Sequence, residues 1–160
     1  MPGRRNSELN PEEEEELLAS ARVLQVASIN ADGTPHLVPM WFERDDQGVV
    51  IFTTYATSQK VRNLERDPRL TVLVEVGDAY DELRGLSMDA TAEIIRNPAE
   101  TARALAVIGA KYAGRERPVG DSSHGDELPP AAHKRVTIRV HPRRLRSWDH
   151  RKLRPSDERS

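Results

Sequence analysis

A mainly β domain is what this chain predicts: antiparallel strands joined by short turns, closed as a barrel or sandwich and flanked by two helices. Three observations carry that expectation. Val23 to Ile29, Thr34 to Phe42 and Val49 to Thr54 are apolar, β-rich runs separated by the turn sequences Asn30-Ala31-Asp32-Gly33 and Arg44-Asp45-Asp46-Gln47-Gly48. Asn10-Pro11 and Asn97-Pro98 each place a capping residue before a proline suited to the first helical turn. A chain of 160 residues is one domain of ordinary size, able to bury a proper core. A meander of strands with only two clear helices finds its natural closure in a barrel or sandwich.

Residues 1–8 are polar and charged, which predicts a loose end. The first helix starts at Pro11, with Glu12 to Glu16 at the positive end of its dipole and Leu17, Leu18 and Ala21 on the inner face. After the three-strand meander, Leu70 to Val76 is a fourth strand. Gly77-Asp78-Ala79-Tyr80 breaks it, and Leu83 to Ile95 is a fifth, in which Gly85 marks a bulge or a close backbone approach. The second helix runs from Pro98 to about Ala113, with Ala102, Leu105, Ala106, Ile108 and Gly109 inward, and Gly114 stops it. Arg115 to His133 reads as a long surface loop. A Ser/His/Asp triad could be drawn on its segment 121–126, but neighbours in a flexible loop lack a scaffold to hold them. Lys134 to Val140 is the sixth strand, ended by His141-Pro142, and residues 154–160 read as a disordered tail.

Composition narrows the function classes. The formal net charge of −2 does not suggest a polyanion-binding protein. The absence of cysteine removes disulfides, thiolate metal sites and cysteine nucleophiles. The five histidines show neither HxH nor HExxH spacing, so no metal site is expected, and His36 reads as a hydrogen-bonded wall or surface residue. No apolar run approaches the roughly 20 residues that span a bilayer, so the expectation is a cytoplasmic protein with no membrane partner. Glu75 to Glu93 holds six acidic residues against Arg84 alone, whereas Lys134 to Ser160 holds ten Lys or Arg against three Asp or Glu. Without interleaved aromatics, that basic segment fits an acidic cofactor tail or pairing across a dimer better than nucleic acid.

The chemistry concentrates between Val49 and Arg69. A buried strand ends in Thr53 and Thr54, Tyr55-Ala56 turns the chain, and Thr57 or Ser58 can cap a helix that Asp67-Pro68 stops. A strand end running into a helix N-terminus offers free N–H groups and a positive dipole end, and Lys60 one turn in adds a cation. The pattern reads either as a phosphate seat, where Thr53, Thr54, Ser58, Gln59 and Lys60 also offer donors to a flat heterocycle, or as an ordinary capped helix whose Lys60 and Arg62 are solvated. Arg62 and Arg66 share a helix face, with Arg69 beyond; they either lead away from the seat towards an anionic tail or pair with Glu65 and Asp67 at the surface.

The segment TTYATSQK followed by VRNLERDPR resembles the pyridoxamine 5'-phosphate oxidase-like split-barrel family of flavin and deazaflavin proteins, where a Thr-x-x-x-Ser-x-Lys segment holds the cofactor phosphate. PMWF (Pro39 to Phe42), YDELRG (Tyr80 to Gly85) and SWDHRKL (Ser147 to Leu153) fall in the family's order, so the resemblance spans nearly the whole chain. It implies a six-stranded antiparallel split β-barrel over residues 9–153, forming a homodimer with cofactor sites at the interface. It also implies that Pro39, Met40 and Trp41 line the cofactor ring and that Trp148 edges it. Arg84 either pairs with Asp81 or Glu82 or points across the dimer seam at a ligand. The chain departs from the pyridoxamine-phosphate oxidases proper, lacking their Arg-x-x-Leu-Leu-Lys-type strand, and it has Ala90-Thr91-Ala92 where Gly-x-Ala is usual. The likeness is greatest to the small deazaflavin-dependent group. That implies an oxidoreductase using coenzyme F-420, with FMN as the competing cofactor and hydride transfer to a small organic substrate. No residue is expected to act as general acid or base. The competing class is a protein that carries a flavin, deazaflavin or haem-like ligand without turnover.

Overall fold

The computed structural model describes residues 7–120 and 127–153, so most of the N-terminal end, the 121–126 segment and the 154–160 tail lie outside the described residues. The elements are α1 (Pro11–Ser20), β1 (Leu24–Ile29), β2 (Pro35–Met40), β3 (Glu43–Arg44), β4 (Val50–Tyr55), α2 (Gln59–Arg66), β5 (Arg69–Val76), β6 (Arg84–Ile95), α3 (Pro98–Tyr112), α4 (Pro130–Lys134) and β7 (Arg135–Asp149). The strands form one antiparallel sheet in the order β2-β1-β5-β6-β7-β4-β3. This sheet curls into a half-barrel around a core that includes Leu24, Val26, Phe52, Val72, Val74, Leu86, Ile138 and Val140. The predicted mainly β class with flanking helices holds. The strand count is seven rather than six, because Glu43 and Arg44, the latter the first residue of the expected turn, pair with Ile51 and Val50.

Two further elements depart from the sequence reading. The last strand does not stop at His141-Pro142 but continues to Asp149, pairing with the whole of β6 from Ile95↔Thr137 to Arg84↔Asp149. Pro142 is tolerated because the register shifts there, between Asp89 and Ala90 on β6. Proline lacks the N–H of a regular ladder and is accommodated at such irregularities. In the expected 115–133 loop, residues from Pro130 form the short helix α4, with Ala132 buried. Helix α3 also presents a rotated inner face: Thr101, Ala104, Val107, Ile108 and Ala110 are the buried residues, of which only Ile108 matches the expected set. The capping of α1 follows its sequence, since Asn10 and Glu13 form a reciprocal capping box.

Helix α2 bridges the curl. β4 and β1 are separated in the sheet by β7, β6 and β5, yet α2 starts against the end of β4 and reaches β1. Its Asn63 is fully buried; the amide donates to Ser28 Oγ (3.0 Å) and Asn30 Oδ1 (3.0 Å), while its carbonyl oxygen accepts from Gln59 Nε2 (2.9 Å). Val61 and Leu64 supply the apolar contacts beside it. On the other side, the crossover from β2 to β3 is held by the end of α3. Tyr112 stacks on Trp41 with ring centroids 4.2 Å apart, and its hydroxyl accepts from Phe42 N (3.2 Å) and donates to Arg22 O (2.7 Å). Lys111 lies over the fully buried Phe42 ring, 3.7 Å from its centroid, and donates to Leu18 O (3.2 Å).

Replacing Asn63 with Leu leaves Ser28 and Asn30 facing an apolar side chain; we expect about 2–3 kcal/mol of lost stability in chemical denaturation. An unchanged midpoint would show that α2 is not held by this amide. Burial pulls the Lys111 ammonium down to about 8. Its unfolded value is near 10.4, so between the two the unfolded chain binds more protons, and this residue's contribution to stability improves as pH rises from 8 to about 10. The stability of the unmodified protein relative to Lys111→Met should therefore rise over that interval, by about 1 kcal/mol after discounting for solvent screening. A constant difference across it would contradict the burial of the charge.

Candidate functional site

The strand-to-helix junction forms as its sequence implies. β4 is buried along Val50 to Thr54, and the chain turns through Tyr55 and Ala56, where Ala56 N donates to Lys134 O (3.0 Å). Ser58 takes the N-cap position of α2 in extended conformation, but its hydroxyl makes no capping bond to the helix. It accepts instead from Thr54 Oγ1 (3.3 Å), and Lys60 Nζ donates to that same Thr54 oxygen (2.8 Å). Thr54, Ser58 and Lys60 therefore form one connected group beside the free N–H groups at the start of α2. Thr53, one residue earlier, pairs with Thr137 of β7 and is buried. Gln59 turns away from this group to bond Asn63.

The electrostatics of the junction fit an anion. Lys60 has its ammonium pushed below the usual lysine value, first by burial and second by the nearby Arg135 guanidinium. Neither cation forms an ion pair among the described residues. Thr54, the free helix amides and these cations supply donors and positive charge with no carboxylate paired to them among the described residues, the chemistry that a phosphate requires. Arg135 is a residue that sequence reading did not name at the junction, where Lys60 was the cation it offered. It arrives through the strand register, opposite Tyr55 on β4, and its guanidinium lies 4.3 Å from the Tyr55 ring centroid. Nothing local in the sequence places it there.

The arginines after Lys60 divide. Arg66 donates to Ile29 O and to Asn63 Oδ1 (3.2 Å), and Arg69 grips Asp67 through two nitrogens, pulling the Asp67 carboxyl down to about 2. Glu65 pairs with Arg96. The expected stripe is thus mostly engaged, and Arg62 alone of the three makes neither a side-chain hydrogen bond nor an ion pair among the described residues.

Of the remaining expected site residues, Arg84 and Trp148 lie far from the seat along the strands of one chain. Pro39 and Met40 end β2, where Met40 packs on the core. Trp41 is 61 % exposed, with Tyr112 stacked on its ring. Trp148 pairs with Gly85, and a Cβ on that glycine would fall inside the indole, so Gly85 is the close approach anticipated from sequence. Arg84 stands opposite Asp149 in the same ladder. Ile95↔Thr137, next to Thr53, lies at the opposite end of this hairpin, roughly 30 Å away along the strands. His36 is half-buried, and its Nδ1 has no hydrogen-bond partner among the described residues, unlike the bonded histidine expected. No group of three His, Asp or Glu suited to a metal occurs among the described residues.

Two cavities exist elsewhere. One of about 610 Å³ lies between α3 and the β4–β7 face, with Ile51, Ala104 and Val107 in its lining, and the other, of about 420 Å³, runs along β1, β5 and β6. The seat residues line neither. The charges around the larger are largely tied to one another, Arg139 to Asp45 and Arg103 and Arg117 to Asp46. We therefore place the site by the chemistry of the junction and not by cavity size. No helix among the described residues is long and apolar enough to cross a membrane.

Comparison with known proteins agrees with this geometry. The pyridoxamine 5'-phosphate oxidase family matches residues 11–149. Among solved structures, the conserved hypothetical protein Rv2991 from Mycobacterium tuberculosis is 37% identical over 100% of this chain and 98% of its own, with a TM-score of 0.81. An F420 reductase is 28% identical over 82% of this chain and 94% of its own, with a TM-score of 0.63. HutZ, a haem storage protein from Vibrio cholerae, is 18% identical over 86% of this chain and 94% of its own (TM-score 0.61), a likeness of fold alone. No curated protein matches the chain significantly. The extent of the family match, with the 37% identity over the full chain, shows that this chain belongs to the pyridoxamine 5'-phosphate oxidase family.

Proposed function

We propose that this protein is an oxidoreductase that binds a flavin-type cofactor, coenzyme F-420, and serves hydride transfer to a small organic substrate. FMN is the competing cofactor. The observation that carries the reading is the group formed by Lys60, Thr54 and Ser58 at the start of α2, without a carboxylate partner. The likeness to an F420 reductase over nearly the whole of that protein favours the deazaflavin over FMN. The chain's own part is to hold and screen. Lys60 and Thr54 would hold the phosphate, Arg62 would meet the acidic tail beyond it, and Pro39, Met40 and Trp41 would line the ring. When bound, the cofactor supplies the hydride chemistry, so no side chain need serve as acid or base.

The same reading calls for a homodimer. Trp148 and Arg84 lie at the far end of the β6–β7 hairpin from the seat, so a second copy must supply them if they are to touch the cofactor. Leu37 and Leu145, 64% and 48% exposed, lie on strands of this sheet and offer apolar surface for that contact. We place the protein in the cytoplasm, without nucleic-acid or membrane partners. A carrier of a flavin, deazaflavin or haem-like ligand is separated from an enzyme by testing whether bound reduced F-420 is oxidised in a substrate-dependent way.

Lys60→Ala should weaken cofactor binding by about 1.5–3 kcal/mol, as expected for a charged hydrogen bond, and Ser58→Ala by less. F-420 should bind tighter than FMN and lose more affinity with added salt. Unchanged affinity in Lys60→Ala would remove the seat, and tighter FMN binding by the unmodified protein would move the reading to the flavin side. If Trp41 and the partner's Trp148 flank the ring, saturating cofactor should quench most of the intrinsic tryptophan emission. Saturable binding without quenching would put the ring elsewhere.

A further inference from the structure

We infer that Arg135 is a second cation of the phosphate seat, held in place by Tyr55, and that it discriminates phosphorylated from unphosphorylated forms of a flavin-type ligand. This rests on the reading of the Lys60 junction as the phosphate seat and adds a residue, from a different part of the chain, that the family likeness did not point to. Arg135 is the first residue of β7 and stands opposite Tyr55, the last of β4, in the antiparallel ladder; the next pair is Val136 with Thr54, whose hydroxyl binds Lys60. The backbone bond from Ala56 N to Lys134 O ties the turn before α2 to the residue preceding Arg135. The start of β7 and the start of α2 are therefore braced against each other.

The side chain is positioned as well as the backbone. Its guanidinium lies over the Tyr55 ring, 4.3 Å from the centroid, a cation–π contact that limits the conformations of an otherwise long and mobile side chain. Several other arginines are engaged. Arg139 pairs with Asp45, Arg69 with Asp67 and Arg96 with Glu65. Arg135 and Lys60 have no carboxylate partner among the described residues and are near enough for Arg135 to disfavour the charged form of Lys60. Two cations that repel each other in the protein are both stabilised by one anion between them, and guanidinium is suited to phosphate oxygens through its paired donors.

The test compares ligands that differ in the phosphate. Kd is measured for FMN and riboflavin, and for 5-deaza-FMN and 5-deazariboflavin, with the unmodified protein, Arg135→Ala, Tyr55→Leu and Lys60→Ala. Arg135→Ala should weaken the phosphorylated member of each binding pair roughly ten- to hundred-fold, leave the unphosphorylated member unchanged and make the salt dependence shallower. Tyr55→Leu should give a smaller loss of the same kind. If Arg135→Ala leaves the ratio within each pair unchanged while Lys60→Ala lowers it, the seat stands and Arg135 is not part of it. Equal losses for both members of a pair would assign Arg135 a structural role and overturn the inference. If Lys60→Ala also leaves every ratio unchanged, or if the unmodified protein binds neither phosphorylated ligand, the seat falls and the inference with it.

Discussion

Asn63 has no exposed surface, and its amide is committed on both sides, donating to Ser28 and Asn30 and accepting from Gln59 and Arg66. A buried amide with these bonds made costs little, whereas the same amide displaced would leave several polar groups unpaired. Through it α2 is fixed to β1, although the helix begins at β4 on the other side of the curled sheet. The direction of α2, and hence the aim of its first N–H groups and of Lys60, follows from that attachment. The half-barrel and the candidate site are for this reason one problem. A change that lets α2 tilt would disturb the seat without altering any residue in it.

Charge is distributed with the same economy. The surface carries many acid–base pairs, several of them between distant segments, such as Arg139 with Asp45, Arg146 with Asp89 and Lys152 with Glu13. Exposed pairs of this kind add little stability individually. Lys60, Arg62 and Arg135 are among the cations that form no such pair within the described residues. The positive potential at the start of α2 is thus a local feature in a chain whose formal net charge is −2. A small anion is better matched to such a patch than a polyanion is.

What could be read from sequence was what is local. The strand, turn and helix of the proposed seat lie within Val49 to Arg66, so the β-rich run and the Asp67-Pro68 stop were enough to place these elements, although the expected capping bond does not form, and the turns at Gly33 and Gly48 announced themselves through residues that accept positive φ. What depended on pairing across the sheet was not legible. Pro142 looked like a strand end because the shift in register that accommodates it is a property of β6 and β7 together. Arg135 lay well along the chain from Lys60, with no spacing to connect them. Arg66 and Arg69 looked available beside Arg62, yet one is drawn to a backbone carbonyl of β1 and the other to its neighbour Asp67. The inner face of α3 was misjudged because alanines and glycine on both sides of the helix give the pattern little contrast. Trp148 and Arg84 matched the family's order of segments, but order along the chain does not say which copy of a protein presents a residue to a site.

The central claim is that the end of β4 and the start of α2 receive the phosphate of a flavin-type cofactor. A crystal structure of the protein with F-420 tests it most directly. The account predicts phosphate oxygens within hydrogen-bond distance of Lys60 Nζ and Thr54 Oγ1, close to the first N–H groups of α2. A phosphate bound in the cavity between α3 and the β4–β7 face, or elsewhere away from Lys60, would contradict it.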